Sequence, residues 1–144
     1  MNKNLSILLI VMIATILSCA TKIDKDDLVA SPYETTPVYG FKVSGLNRID
    51  IVDRKFTNFK DCLGLKDSEI KNYTNYKIVI VPSNFKCRYH WISCNGEIDS
   101  SRSLILVTEK GLGEGVLEHE WGHNAGLITK NDKYKKDFKH CFPD

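Results

Sequence analysis

Apolar and polar positions change rhythm several times along the chain. Between Val38 and Val43 apolar residues alternate with small or polar ones, the two-residue period of a strand, and Ser44-Gly45 follows as a turn. Ile49 to Val52 suits either a continued strand or a helix start. From Asp53 to Leu63, the residues Phe56, Phe59 and Leu63 fall at three- and four-residue intervals, one stripe of a short helix that Gly64 would end. Lys77 to Val81 (KIVIV) is continuous enough to be a strand buried on both faces, and Pro82 stops it. Phe85 to Ser103, with Asn95-Gly96 and a Ser-Ser pair, reads as loop-rich, and Ser103 to Thr108 (SLILVT) as another strand. Strands followed by helices, with little regular crossover, predict an α+β fold.

The amino-terminal end follows a different logic. Lys3 precedes a nearly unbroken apolar run from Leu5 to Leu17. As a helix it would rise about 20 Å, short of the roughly 30 Å hydrocarbon core, so it reads as a signal peptide rather than a spanning helix. Its end, Ile16-Leu17-Ser18-Cys19, resembles a bacterial lipobox. That resemblance implies cleavage before Cys19, a diacylglycerol thioether on that cysteine, and N-acylation. A conventional signal peptide cut near Ala20, or an ordinary short apolar helix, is the alternative. Thr21 to Pro37 is polar, holds Pro32 and Pro37, and lacks a periodic apolar pattern. It reads as a tether able to reach on the order of 50 Å when extended. The expected organisation is therefore a lipoprotein signal peptide over 1–18, a lipidated Cys19 with its flexible tether over 19–37, and a folded domain over 38–144. Ala20 after the cysteine resembles lipoproteins sent to an outer membrane, so the expected location is the cell envelope, at the outer membrane or cell surface.

Composition narrows the partners. The chain has 144 residues, 42% hydrophobic and 26% charged, with 20 basic against 18 acidic side chains. One small domain is expected, acting as a monomer, and the near-neutral balance argues against a nucleic-acid partner. Five cysteines are an odd number for an exported chain. Assigning Cys19 to lipid leaves Cys62, Cys87, Cys94 and Cys141, an even set that reads as two disulfides in an oxidising compartment. Sequence alone leaves the pairing open; Cys87 with Cys94 and Cys62 with Cys141 is the expected one. A four-thiolate metal site is the alternative, although no CxxC pair is present.

The segment richest in chemistry is Gly113 to Leu127 (GEGVLEHEWGHNAGL). His119 and His123 are four apart, so on a helix they stand one above the other and can share one tetrahedral ion. Glu120 lies about 60° round the helix from His123, close enough to address water near that ion without being a ligand. Leu117 and Trp121 fall on nearly the opposite face and would pack into the core, and Gly126 suits the position after the helix end. A solvent-facing histidine pair on an amphipathic helix is the plain alternative.

His119, Glu120, His123 and Gly126 match the HExxHxxG portion of the metzincin pattern, and the chain resembles those zinc metallopeptidases over that stretch. The resemblance implies a small twisted mixed sheet packed on the HExxH helix, an edge strand that holds extended substrate, and hydrolysis of peptide or protein substrates. Zinc would activate water and Glu120 would act as general base. The family's third ligand falls at Thr129 here, no methionine follows Met12, and no glutamate follows Glu120. The remaining downstream donors are Asp132, Asp137, His140 and Asp144. His140-Cys141 looks like the His-Cys ending of some members, displaced by a lysine-rich hydrophilic insertion from Ile128 to Lys139. On that reading His140 is the third zinc ligand; otherwise it is a polar residue near a terminus. The lysines read as a solvated face, and His90 as an exposed or hydrogen-bonded loop histidine rather than a ligand. The expected activity is that of a lipid-anchored zinc metallopeptidase, attached to the membrane through Cys19. The alternatives are a non-catalytic surface lipoprotein that binds a partner or ligand on a degenerate protease scaffold, and a gene shortened at its end.

Overall fold

The computed structural model describes residues 29–45, 49–88, 93–129 and 134–142. The signal peptide, Cys19, most of the tether, His90, Asp132 and Asp144 lie outside the described residues. No helix among the described residues is long and apolar enough to cross a membrane.

The strands are β1 (Glu34–Thr35), β2 (Lys42–Gly45), β3 (Lys77–Val81), β4 (Phe85–Lys86), β5 (Ser93–Cys94), β6 (Gly96–Asp99) and β7 (Leu104–Thr108). The helices are α1 (Ile49–Leu63), α2 (Asp67–Thr74), α3 (Glu109–Gly113), α4 (Val116–Asn124) and α5 (Lys136–Cys141). A five-stranded mixed sheet runs β1-β2-β3-β7-β6. Its centre, β2, β3 and β7, is parallel. The two edges, β1 and β6, are antiparallel to their neighbours. The pair β4 and β5 forms a separate antiparallel hairpin. The α+β expectation is met at this level.

Burial explains the central strands. Ile78, Ile80, Ile105 and Val107 face the helices and join Phe56, Phe59, Leu117 and Trp121 in the main core. Val79, Val81, Leu104 and Leu106 face the other way, covered by Val29, Tyr33 and Phe85. With both faces buried, β3 and β7 need apolar residues at consecutive positions, which is why their runs are unbroken. Helix α1 takes the earlier of its two possible starts because Val52 adds a turn to the stripe of Phe56 and Phe59, all three fully buried.

Several expectations are corrected. Val38 to Val43 is not one strand: the Thr36 amide donates to the Phe41 carbonyl (2.9 Å) and Gly40 to Thr36 (3.2 Å), closing a turn in which Gly40 has φ 77°. Val38 is 68% exposed there, and its amide donates to the Asp53 carboxylate (2.8 Å). Ser44-Gly45 consequently ends β2 instead of turning away from it. The last residues of the tether also belong to the fold, since β1 pairs with β2 and Thr36 is only 2% exposed. The loop-rich stretch contains β6. Helix α2 forms from a mostly polar segment, its start held by the Lys66 amide donating to the Glu69 carboxylate (2.8 Å).

The hydrophilic insertion is the largest departure. Its end coils into α5 and presents Phe138, 3% exposed, to the core. Cys62 at the end of α1 is bonded to Cys141 on α5, and Cys87 to Cys94 across the small hairpin, the expected one of the three possible pairings.

Candidate metal centre

Thr108 closes β7 and caps α3, its hydroxyl accepting the Gly111 amide (2.8 Å). Gly115, at φ 79°, then turns the chain into α4, a conformation that costs a residue with a Cβ more than it costs glycine. Leu117 and Trp121 are both fully buried. The Trp121 ring meets Phe41 (5.6 Å), Phe56 (5.1 Å) and Phe59 (5.5 Å), an aromatic bed that fixes how the helix is rolled.

With that roll set, His119 and His123 emerge half-buried on the opposite side, their Nε2 atoms 3.0 Å apart. Two imidazole nitrogens sharing a tetrahedral zinc at ordinary bond lengths stand roughly 3.3 Å from each other, so the pair fits two corners of such a site. The Nδ1 atom of His119 is within 3.1 Å of the Tyr134 hydroxyl. Glu120 is 6% exposed and leans toward β6. A Cβ built on Gly96 would lie 3.0 Å from Glu120 Oε1 and would run into Val116 Cγ1. Gly96 thus leaves the room in which the Glu120 carboxylate sits, beside the strand that ends the sheet.

Downstream, α4 ends in a left-handed Gly126 (φ 65°), with the Leu127 amide returning to the Gly122 carbonyl (2.9 Å). A bridge between Ile128 and Tyr134, and the Lys135 amide on the Leu127 carbonyl (2.8 Å), fold the chain back along the helix. Tyr134 reaches His119 by this return.

His140 does not join the pair. Phe138 faces Gly122, and two residues on a helix are separated by about 200°, so His140 looks away from the histidines. It is exposed and lines a cavity of about 450 Å³ with Cys62, Leu63, Tyr73 and Leu127. In the same cavity burial, and then the Glu69 charge, push the Tyr73 phenol up. Asp137 is an exposed neighbour of His140, and Thr129 is exposed beyond Ile128. Among the described residues no group of three or more His, Cys, Asp or Glu side chains is placed to hold a metal ion.

Two further charge clusters hold α4 and β6 in place. Lys55 on α1 pairs with Glu118 at 2.7 Å, anchoring α4 from a third side. Asp99, buried at the end of β6, accepts from Arg88 (2.6 Å), Arg102 (2.6 Å) and Ser101 (2.6 Å). Burial alone would raise its carboxyl, but the hydrogen bonds from Ser101 and Arg102 and the charges of Arg88 and Arg102 outweigh it and hold it well below the usual carboxylate range. This cluster ties the Cys87–Cys94 hairpin to the edge strand.

Sequence reasoning singled out His119, Glu120 and His123, which share α4, and gave no place to Tyr134 or Gly96, which stand beside His119 and Glu120. Tyr134 stands 15 residues from His119 with no periodic link to it. Gly96 carried only a turn signal, the preceding asparagine. Comparison of the chain with protein-family models, with curated proteins and with solved structures finds no match.

Proposed function

We propose that the chain is a lipid-anchored zinc metallopeptidase of the cell envelope, with His119 and His123 as metal ligands and Glu120 as general base. The observation that carries this reading is the convergence of the two Nε2 atoms to 3.0 Å, with the Glu120 carboxylate buried next to the edge strand. When bound, zinc supplies Lewis acidity, polarising a peptide carbonyl and making water more acidic. The chain supplies the rest. β6, the last strand of the sheet, offers backbone groups to an extended peptide lying along it. Such a peptide would pass Gly96 and so come close to Glu120. The Glu120 carboxylate takes the proton of the attacking water and delivers it to the departing amine. Burial of Glu120 keeps bulk water from competing for that proton.

Metal content tests the reading. The soluble chain from Ala20 to Asp144 should retain about one zinc after dialysis, a single tetrahedral site. His119→Ala and His123→Ala should lose it. Glu120→Gln should keep the zinc and the fold but lose peptide cleavage. Absence of stoichiometric zinc from the freshly purified chain would overturn the enzyme reading.

A second reading is favoured by the lack of a third donor beside the histidines among the described residues. A two-histidine site leaves coordination positions for side chains of another protein, which suits a non-catalytic surface lipoprotein that binds its partner through the metal. That protein would take up zinc weakly alone and tightly with its partner, and Glu120→Gln would change neither.

A further inference from the structure

The geometry points to Tyr134 as the positioning residue that sets the tautomer and orientation of His119. This inference rests on the metal reading above. A histidine can give Nε2 to a metal only if the ring proton sits on Nδ1, and that proton needs an acceptor. The Tyr134 hydroxyl is 3.1 Å from His119 Nδ1, while Nε2 faces His123. With the phenol oxygen accepting from Nδ1–H, Nε2 of His119 is unprotonated; without metal it accepts from the Nε2–H of His123, and its lone pair can turn to a metal ion. The reverse arrangement, with the hydroxyl donating to Nδ1, would put the proton on Nε2 and block it.

Tyr134 is held for this task on several sides. Its backbone is fixed by the bridge to Ile128, and its ring stacks on Phe138 at 5.5 Å and 29°. The Lys139 ammonium lies over the same ring, 5.9 Å from its centroid. Phe138 in turn packs against Gly122, where a Cβ would come within 2.6 Å of Phe138 Cε2 and 2.7 Å of Ile128 Cδ1. A side chain at position 122, inside the motif, would therefore push away the layer that carries the tyrosine. The Cys62–Cys141 bond fastens the far end of α5 to α1. A continuous path of covalent and packing contacts thus runs from that disulfide through Phe138 and Tyr134 to the His119 ring.

Tyr134→Phe keeps the ring and its stacking but removes the acceptor. In the full chain, solubilised in detergent, its thermal unfolding should match wild type. Its zinc dissociation constant should rise roughly 10- to 100-fold, the range seen when an outer partner of a ligating histidine is lost. Nitrogen-15 correlation spectra of the zinc-free protein, recorded near pH 8 where histidine is neutral, give the second readout. His119 should be the Nδ1–H tautomer and His123 the Nε2–H tautomer in wild type, because the two Nε2 atoms share one proton at 3.0 Å, and both should move toward the opposite tautomer in Tyr134→Phe. Unaltered zinc affinity or an unaltered His119 tautomer in the variant would overturn the positioning role while leaving the metal reading in place. Failure of the wild-type chain to bind zinc would overturn both.

Discussion

Removing the Cys62–Cys141 bond is expected to cost the fold considerably more than removing Cys87–Cys94. The bonded residues are 79 apart in the first case and 7 in the second. A cross-link restricts the unfolded chain by an amount that grows with the logarithm of the loop it closes. For these loops that amounts to about 4.5 and about 2.4 kcal/mol at ~25 °C. Domains of this size are stable by only about 5–15 kcal/mol, so a Cys62→Ala/Cys141→Ala chain lies near its unfolding margin. The same change frees α5, and loosened packing of Phe138 adds to the loss. Urea unfolding of wild type and the two double variants, followed through the buried Trp121, separates the cases. With a slope of about 1.5 kcal/mol per molar urea, the midpoints should fall by about 3 M and about 1.6 M. Equal shifts, or a larger one for Cys87→Ala/Cys94→Ala, would refute the loop-length reasoning. Zinc affinity adds an independent check, since only the first pair buttresses the layer behind His119.

Gly96→Ala should lower stability by about 1–3 kcal/mol, because the added methyl meets Val116 and crowds Glu120. Peptide cleavage should fall further than zinc affinity, and wild-type cleavage by the variant would remove Gly96 from the account. Lys55→Met leaves a buried carboxylate whose Oε2 has no hydrogen-bond partner among the described residues, and should cost about 3 kcal/mol in urea unfolding. Adding Glu118→Met should recover most of it, and a double variant as unstable as the single one would contradict this. Asp99 has a folded pKa below its unfolded value, so its contribution is present above about pH 4 and is lost as pH falls below that. Asp99→Asn should be less stable than wild type by about 1–3 kcal/mol at neutral pH, with the gap closing under acid in pH-dependent thermal unfolding.

How much of this was legible follows from where the deciding contacts lie. KIVIV and SLILVT announce β3 and β7 because burial on both faces writes itself as consecutive apolar residues. The motif helix was legible because Leu117, Trp121, His119 and His123 obey the period of one helix. The disulfide pairing was one of three the sequence allows, and it is the packing of α5 beside the end of α1 that selects Cys62 with Cys141. What escaped depends on partners distant in sequence. Gly96 to Asp99 is half-buried and too short to show alternation, and it becomes a strand only because β7 is beside it. Lys136 to Cys141 looks solvated by composition, yet a single Phe138 and one disulfide are enough to dock it. The Val38 strand failed for the converse reason: apolar alternation was present, but the Asp53 carboxylate and the Thr36 carbonyl and hydroxyl captured the amides of Val38, Gly40 and Phe41 into a turn.

The seven residues from Leu117 to His123 are held on every side of the helix, and this decides what the motif can tolerate. Leu117 and Trp121 enter the aromatic core, Glu118 pairs with Lys55, Glu120 leans on β6, and Gly122 admits Phe138 and Ile128. A helix of only Val116–Asn124 has little intrinsic stability, so its roll and position are set by these surroundings. The two imidazoles converge as a consequence of contacts made on the other sides. Trp121 and Gly122, the spacer positions of HExxH, are therefore under strict packing constraint. Trp121 must fill the bed between Phe41, Phe56 and Phe59, and Gly122 must stay small for α5 to bring Tyr134 forward. A change at either spacer would act on the histidine pair by moving the helix or its outer layer, without touching either imidazole.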